Sequence, residues 1–173
     1  MPDKGMLSLV GAGPGDPDLI TVKGLQIIAD ADLILYDALV NKQLLDSNPV
    51  AEKHYVGKRK GHHAYTQSEI NKLIVSNVQK GKHVVRLKGG DVSVFARATE
   101  EIEYASFFGI QTQVIPGISS YSGIAAQHQI PLTRRCKYES IWVTTGHTCK
   151  GEISEDIKPV SYTHLTLPTN REV

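Results

Sequence analysis

Three short apolar runs in this chain each break off into glycine, and helical patterns lie between them. Met6–Val10 (MLSLV) runs into Gly11-Ala12-Gly13-Pro14-Gly15-Asp16. Val84–Leu87 leads through Lys88 into Gly89-Gly90-Asp91. Gln113–Ile115 leads into Pro116-Gly117-Ile118-Ser119-Ser120. A short strand that stops in glycine and hands over to a helix is the repeating unit of an α/β sheet. Asp32–Tyr36 (DLILY) and His54–Val56 read as two further strands. Thr21 caps a helix that runs to about Asp30, with Leu25, Ile28 and Ala29 on one face. Thr66-x-x-Glu69 is a capping box; its helix turns Ile70, Leu73, Ile74 and Val78 to the core and ends at Gly81. A third helix carries Ile102, Ala105 and Phe108 and stops at Gly109. The small residues Ser122, Gly123, Ala125 and Ala126 open a fourth. The alternation holds to about Gln129 and predicts a largely parallel sheet covered on both faces. Ile130–Arg135 then reads as a linker. Ser140–Thr144 (SIWVT) reads as a new strand with Trp142 in its core, and Gly146-His147 as the turn after it. From Lys158 onward neither period is present.

Composition narrows the function. The chain has 173 residues, of which 40% are hydrophobic and 21% charged, enough for a packed core. Its net charge of +1 makes no general case for nucleic acid or a membrane surface as partner. No apolar run approaches the roughly 18 residues of a membrane span. The N-terminus is a short polar lead into a strand and does not resemble a signal peptide. Cys136 and Cys149 form no metal-ligand pattern or disulfide framework and read as free thiols. A reduced, cytoplasmic setting fits.

The glycine loops are the candidate binding elements. Paired glycines at the carboxyl end of a strand expose bare backbone where α/β sheets bind ligands, and Asp91 can accept hydrogen bonds from an amino or hydroxyl group. The bland alternative is a turn between strand and helix. In the first loop Pro14 lacks an N–H, and Asp16 stands where a dinucleotide fingerprint has its third glycine. That loop suits a ligand with a positive charge or neutral polar edges better than a pyrophosphate. Asp37, at the end of the second strand, reads as a ribose ligand, a base or a simple turn cap. Gly57-Lys58-Arg59-Lys60-Gly61-His62-His63 is the densest positive patch. It is either a solvated loop or a grip for a ligand with several carboxylates. Its histidines have no acid or cysteine at metal-ligand spacing. Ser119 and Ser120, at a helix start, make a polar pocket edge.

Taken in order, seven stretches resemble the tetrapyrrole methylase family. They are Val10–Gly24, Tyr36–Val40 (YDALV), Val56–His63, Gln67–Asn71, Val84–Asp91, Val114–Ser120 and Ile130–Arg135. Within the family they resemble most the branch that methylates uroporphyrinogen III. The resemblance implies a fold of two α/β domains, usually as a homodimer, with S-adenosylmethionine as methyl donor and no metal. By motif match Pro14, Gly89, Gly90, Asp91, Val94, Ser119 and Ser120 line the cofactor site. Asp37 matches the proposed proton acceptor and Lys58 the proposed donor. Arg59, Lys60, His62, His63 and Arg134 face the carboxylates of the small-molecule tetrapyrrole. The implied reaction is C-methylation of uroporphyrinogen III at C2 and C7 to precorrin-2, on the way to sirohaem and cobalamin. Neither nucleic acid nor a membrane is an expected partner.

Two departures stand out. The family follows Gly-Gly-Asp with proline and places glycines around the arginine matching Arg97. Here Val92, Ser93, Ala96, Ala98 and Thr99 stand instead, a stiffer segment. The expected organisation is an N-terminal α/β domain over residues 1–133, the start of an incomplete C-terminal α/β domain over 134–160, and a non-family tail over 161–173 of artefactual origin. An incomplete site is expected with it. The competing readings are another precorrin methyltransferase, a non-catalytic folded fragment, and a nicotinamide-binding oxidoreductase, the last disfavoured by Pro14 and the missing third glycine.

Overall fold

The computed structural model describes residues 5–57 and 65–145. Five strands form one sheet: β1 (Met6–Gly11), β2 (Leu33–Tyr36), β3 (Glu52–Tyr55), β4 (His83–Lys88) and β5 (Thr112–Ile115). Their order is β3-β2-β4-β1-β5, and every pairing is parallel. The helices are α1 (Val22–Ala29), α2 (Gln67–Val78), α3 (Ala98–Phe107) and α4 (Ser120–Gln127). This is the expected α/β class, and it follows from strands apolar on both faces. Val10, Ile34, Val85 and Leu87 pack with Ile28 of α1 and with Leu44 and Leu45 of a 3-10 turn. Leu7, Leu9, Leu33, Leu35 and Val84 pack on the other face with Ile70, Ile74 and Val78 of α2 and Ala105 of α3.

The strand order fixes where a ligand can sit. From β1 the chain passes β4 to reach β2; from β4 it passes β1 in the opposite direction to reach β5. The connections also lie on opposite faces, α1 on one and α3 on the other, as right-handed crossovers require. The loops leaving the neighbours β1 and β4 therefore part at their carboxyl ends, the switch point at which open α/β sheets hold ligands.

Local chemistry agrees with the sequence in most elements. Thr66 Oγ1 accepts from the Glu69 N–H at 3.2 Å and Glu69 Oε2 accepts from the Thr66 N–H at 2.7 Å, the full capping box. Ile70, Ile74 and Val78 are buried as expected. The α1 face is a correction: Gly24 and Ile28 are buried, whereas Leu25 and Ala29 are exposed. A Cβ on Gly24 would lie 3.2 Å from Val10 Cγ1, so the helix approaches β1 through its glycine and the buried stripe turns with it. Phe108 is likewise no core residue. It follows the last turn of α3, is exposed, and meets the Tyr104 and Phe107 rings at centroid distances of 5.3 Å.

The chain divides into two compact units, Met1–Ile124 and Ala125–Val173. In the second unit Arg134 and Tyr138 exchange backbone hydrogen bonds of 2.9 and 2.8 Å around a tight turn. The strand expected at Ser140–Thr144 does not form, and Trp142 is 83% exposed instead of buried. No other segment pairs with this run among the described residues, and an unpaired strand leaves its backbone groups to water.

Candidate functional site

At the switch point the glycines first serve the protein itself. Gly13 N–H donates to Gly90 O at 3.2 Å and Gly90 N–H to Gly13 O at 2.7 Å, closing the β1 and β4 loops on each other. A Cβ on Gly117 would lie 2.3 Å from Gly90 O and 2.8 Å from Gly11 Cα. Three loops thus meet backbone to backbone, and only glycine permits that approach. Gly90 also has φ +68°, and its missing Cβ would point into open space, with Ser120 N the nearest atom at 3.8 Å. Gly89 gives its space to Leu39, whose Cβ lies 2.6 Å from where a Cβ would be.

Asp91 fastens this clasp. Its Oδ2 accepts from Gly117 N–H at 2.8 Å, and its Oδ1 accepts from the Ser93 N–H at 2.8 Å and from the Ser93 hydroxyl. Burial raises its pKa, but the bonds from the Ser93 hydroxyl, the Gly117 N–H and the Ser93 N–H outweigh that and hold it below the ordinary value.

The clasp borders a cavity of about 530 Å³. Of the expected cofactor residues, Pro14, Gly89, Gly90, Asp91, Val94, Ser119 and Ser120 all line it, and so does Asp37. The hydroxyls of Ser119 and Ser120 make no hydrogen bond among the described residues. Asp37 Oδ1 accepts from the Leu39 N–H at 3.1 Å, so the turn-cap reading holds, and the same side chain faces the cavity. Asp16 does not line it; its carboxylate caps the next turn by accepting from Asp18 N–H at 3.0 Å. Arg134 belongs to the second unit. Lys58, Arg59, Lys60, His62, His63, His147 and Cys149 lie outside the described residues. Cys136 is a free, exposed thiol. Among the described residues no cluster of His, Cys, Asp and Glu could hold a metal ion, and no helix is long and apolar enough to cross a membrane.

The sequence reading missed the charged wall of the cavity. On β4 the side chains alternate: Val85 and Leu87 join one apolar cluster, while Arg86 and Lys88 share the face of Val84 beneath α2 and α3. Arg86, Lys88 and Gln67 line the cavity. All three converge on Glu101 of α3, which is 1% exposed. Glu101 Oε1 accepts from Arg86 Nε at 3.2 Å, Lys88 Nζ at 3.0 Å and Gln67 Nε2 at 3.0 Å, and Oε2 accepts from Lys88 Nζ at 2.9 Å. Burial, and then the adjacent Arg86 guanidinium, lower the Lys88 pKa against the opposing pull of Glu101. The available signal was two cations at alternate positions of an otherwise largely apolar strand.

The segment after Asp91 forms the rest of the wall. Val94, Phe95, Ala96 and Arg97 line the cavity. Phe95 and Arg97 adopt φ of 51° and 54°, left-handed values that cost a non-glycine residue energy. The stiffened stretch therefore keeps a glycine-like course. Arg97 folds onto Glu100 in a bidentate pair of 2.7 and 2.6 Å.

Comparison with known proteins bears on this geometry. A model of the tetrapyrrole (corrin/porphyrin) methylases matches residues 6–164. The chain is 49% identical over 166 residues to siroheme synthase of Photorhabdus laumondii, covering 95% of this chain and 35% of that protein. It is 49% identical over 148 residues to the chloroplastic S-adenosyl-L-methionine-dependent uroporphyrinogen III methyltransferase of Arabidopsis thaliana, covering 85% of this chain and 40% of that one. The chain thus spans about a third of the length of the first of these curated relatives. The native uroporphyrin III C-methyl transferase of Thermus thermophilus superposes with a TM-score of 0.74 at 37% identity, over 87% of this chain and 64% of the other. Its complex with S-adenyl homocysteine gives 0.72 at 35% identity, over 87% and 60%.

Proposed function

Since the chain belongs to the tetrapyrrole (corrin/porphyrin) methylase family, we propose that it takes part in S-adenosylmethionine-dependent C-methylation of uroporphyrinogen III. In full, the proposed reaction adds methyl groups at C2 and C7 to give precorrin-2, for sirohaem and cobalamin synthesis. The supporting observation is the cavity at the β1/β4 switch point. The side-chain-free face of Gly90, the two serine hydroxyls and the Asp37 carboxylate all border it.

These groups fit the nucleoside. The Ser119 and Ser120 hydroxyls can serve its polar edges, Gly90 leaves room for close approach, and no phosphate cradle is needed. When bound, the donor supplies an electrophilic methyl group on a sulfonium centre. The protein's task is then chiefly orientation. Asp37, tethered by Leu39 N–H, takes the proton that leaves the macrocycle once its carbon is methylated. In the same proposal Pro14, Gly89, Asp91 and Val94 complete the nucleoside wall, and Lys58 donates a proton. Arg59, Lys60, His62, His63 and Arg134 hold the substrate carboxylates. A homodimer in the cytoplasm, with domains over 1–133 and 134–160, belongs to this reading as well.

Two measurements test it together. Titration with S-adenosylhomocysteine should release heat that disappears in a Gly117→Ala variant. Incubation with methyl-labelled donor and uroporphyrinogen III should place label in the tetrapyrrole. Heat without transfer would reduce the proposal to nucleoside binding; absence of both would end it. Label appearing only with a later precorrin would move the substrate assignment within the family.

A further inference from the structure

Three charged side chains line the cavity, and a fourth, buried, is bonded to two of them. Arg86 and Lys88 come from β4, Glu101 from α3 and Asp37 from the end of β2. Formally they cancel, two cations against two carboxylates, but their hydrogen bonds are unequally shared. Glu101 spends both oxygens on protein donors. Arg86 spends Nε on Glu101 and Nη1 on the carbonyls of Leu35 at 3.3 Å and Leu87 at 3.0 Å. Its remaining nitrogen, Nη2, reaches Asp37 Oδ2 at 3.6 Å. That is ion-pair distance but beyond a hydrogen bond. Asp37 Oδ1 is already tied to the Leu39 N–H, and among the described residues no hydrogen bond reaches Oδ2.

We propose that Glu101 is a positioning residue of this site: it orients Arg86, and Arg86 aims the Asp37 carboxylate at the cavity with an Oδ2 lone pair left open. The inference rests on the reading of Asp37 as proton acceptor. The planar guanidinium transmits the orientation, because fixing Nε and Nη1 fixes Nη2. A lysine at position 86 carries the same charge but has one nitrogen on a flexible stem, so it lacks the rigid fork that fixes Nη2 through the bonds made by Nε and Nη1. A carboxylate held at 3.6 Å keeps a favourable electrostatic partner and remains free to take a proton. Gln67 and Lys88 support the arrangement by holding Glu101 from two further sides.

The test uses the full chain and has one arm independent of turnover. In ¹⁵N-labelled protein the Arg86 Nε–H signal is assigned by its loss in Arg86→Lys. Asp37→Asn should shift that signal in the wild-type background and leave it unmoved once Glu101→Gln is present. An equal response in both backgrounds overturns the proposal. In the second arm, methyl transfer by Glu101→Gln and by Arg86→Lys should fall in kcat by about ten-fold or more, with KM for the nucleoside within about two-fold. Glu101→Asp should recover part of the loss. Unchanged kcat, or equal losses in kcat and nucleoside affinity, overturns it. Should Glu101→Gln fail to fold, Arg86→Lys, which keeps the charge balance, decides the second arm. No transfer by the wild type counts against the proposed function, and the NMR arm still decides the role of Glu101.

Discussion

The two ends of β4 are built from similar polar chemistry put to different use. At the amino end His83 is fully engaged. Its N–H donates to Asp32 Oδ2 at 2.7 Å, its Nδ1 meets Asp30 O at 3.1 Å, and its Nε2 meets Ser8 Oγ at 2.7 Å. At the carboxyl end Arg86 and Lys88 are buried more deeply than the half-buried His83, yet among the described residues Nη2 of Arg86 has no hydrogen bond, and both side chains border a cavity. A polar network that closes on itself holds strands together. One that leaves donors and a carboxylate facing a cavity holds something else. The contrast locates the site without reference to any ligand.

The largest effect should come from opening the carboxyl-end cluster. Glu101→Ala leaves Arg86 and Lys88 as neighbouring buried cations without their shared acceptor. Unfolding by urea should show a loss of about 3–5 kcal/mol. A loss below about 1 kcal/mol would mean that the cluster is wet and that the contrast with the amino end is false. Next comes the clasp. Gly117→Ala drives a Cβ to 2.3 Å from Gly90 O, and backbone cannot yield cheaply there. About 2–3 kcal/mol should be lost, together with S-adenosylhomocysteine binding. Gly109→Ala is the control. Its φ of +65° is also unfavourable, but no atom lies within 4 Å of the new Cβ, so about 1 kcal/mol should be lost with binding intact.

Much of this was legible from sequence, and the exceptions share a cause. The Thr66–Glu69 box and the apolar runs are local signals, so elements, class and loop positions followed from them. The stripe of α1 was misread because a helical face counted by apolar side chains treats Gly24 as blank, whereas it is the point of contact with Val10. The pairing of Gly13 with Gly90, and the fit of Gly117 between Gly90 and Gly11, depend on the order β4-β1-β5, which no window of sequence contains. Asp91 does line the cavity, but that its three hydrogen bonds go to Ser93 and Gly117 was not visible in the sequence. Arg86 and Lys88 were visible as cations in a strand, but their acceptor lies on a helix packed over it. Ser140–Thr144 had a strand's composition without a neighbour to pair with.

Asp91 gives the contrast a pH dependence. Its pKa is depressed on folding, so its contribution is complete above the ordinary value of 3.8 and is lost as pH falls through the lower folded value. Asp91→Asn should cost about 2 kcal/mol at neutral pH, since hydrogen bonds to an ionised acceptor are exchanged for neutral ones. Below pH 3.8 the gap between variant and wild type should narrow, as denaturant midpoints across the acid range would show. A constant gap would mean that the carboxylate charge is irrelevant to the clasp.

The smallest effect belongs to the amino end. The Asp30 carbonyl can only accept, so in the neutral ring Nδ1 of His83 carries the proton and Nε2 accepts from the Ser8 hydroxyl. Ser8 Oγ in turn accepts from Gln113 Nε2 at 2.8 Å, and this chain of bonds ties β1, β4 and β5 together. Ser8→Ala strands two part-buried partners and should cost about 1 kcal/mol. Because the network is closed and lies at the far end of the strands, binding of S-adenosylhomocysteine should stay within about two-fold of wild type. A loss of affinity comparable to that of Gly117→Ala would mean that the clasp depends on strand pairing along its whole length. The two ends of β4 would then be one cooperative device, and the division between a closed network and an open one would have no functional meaning.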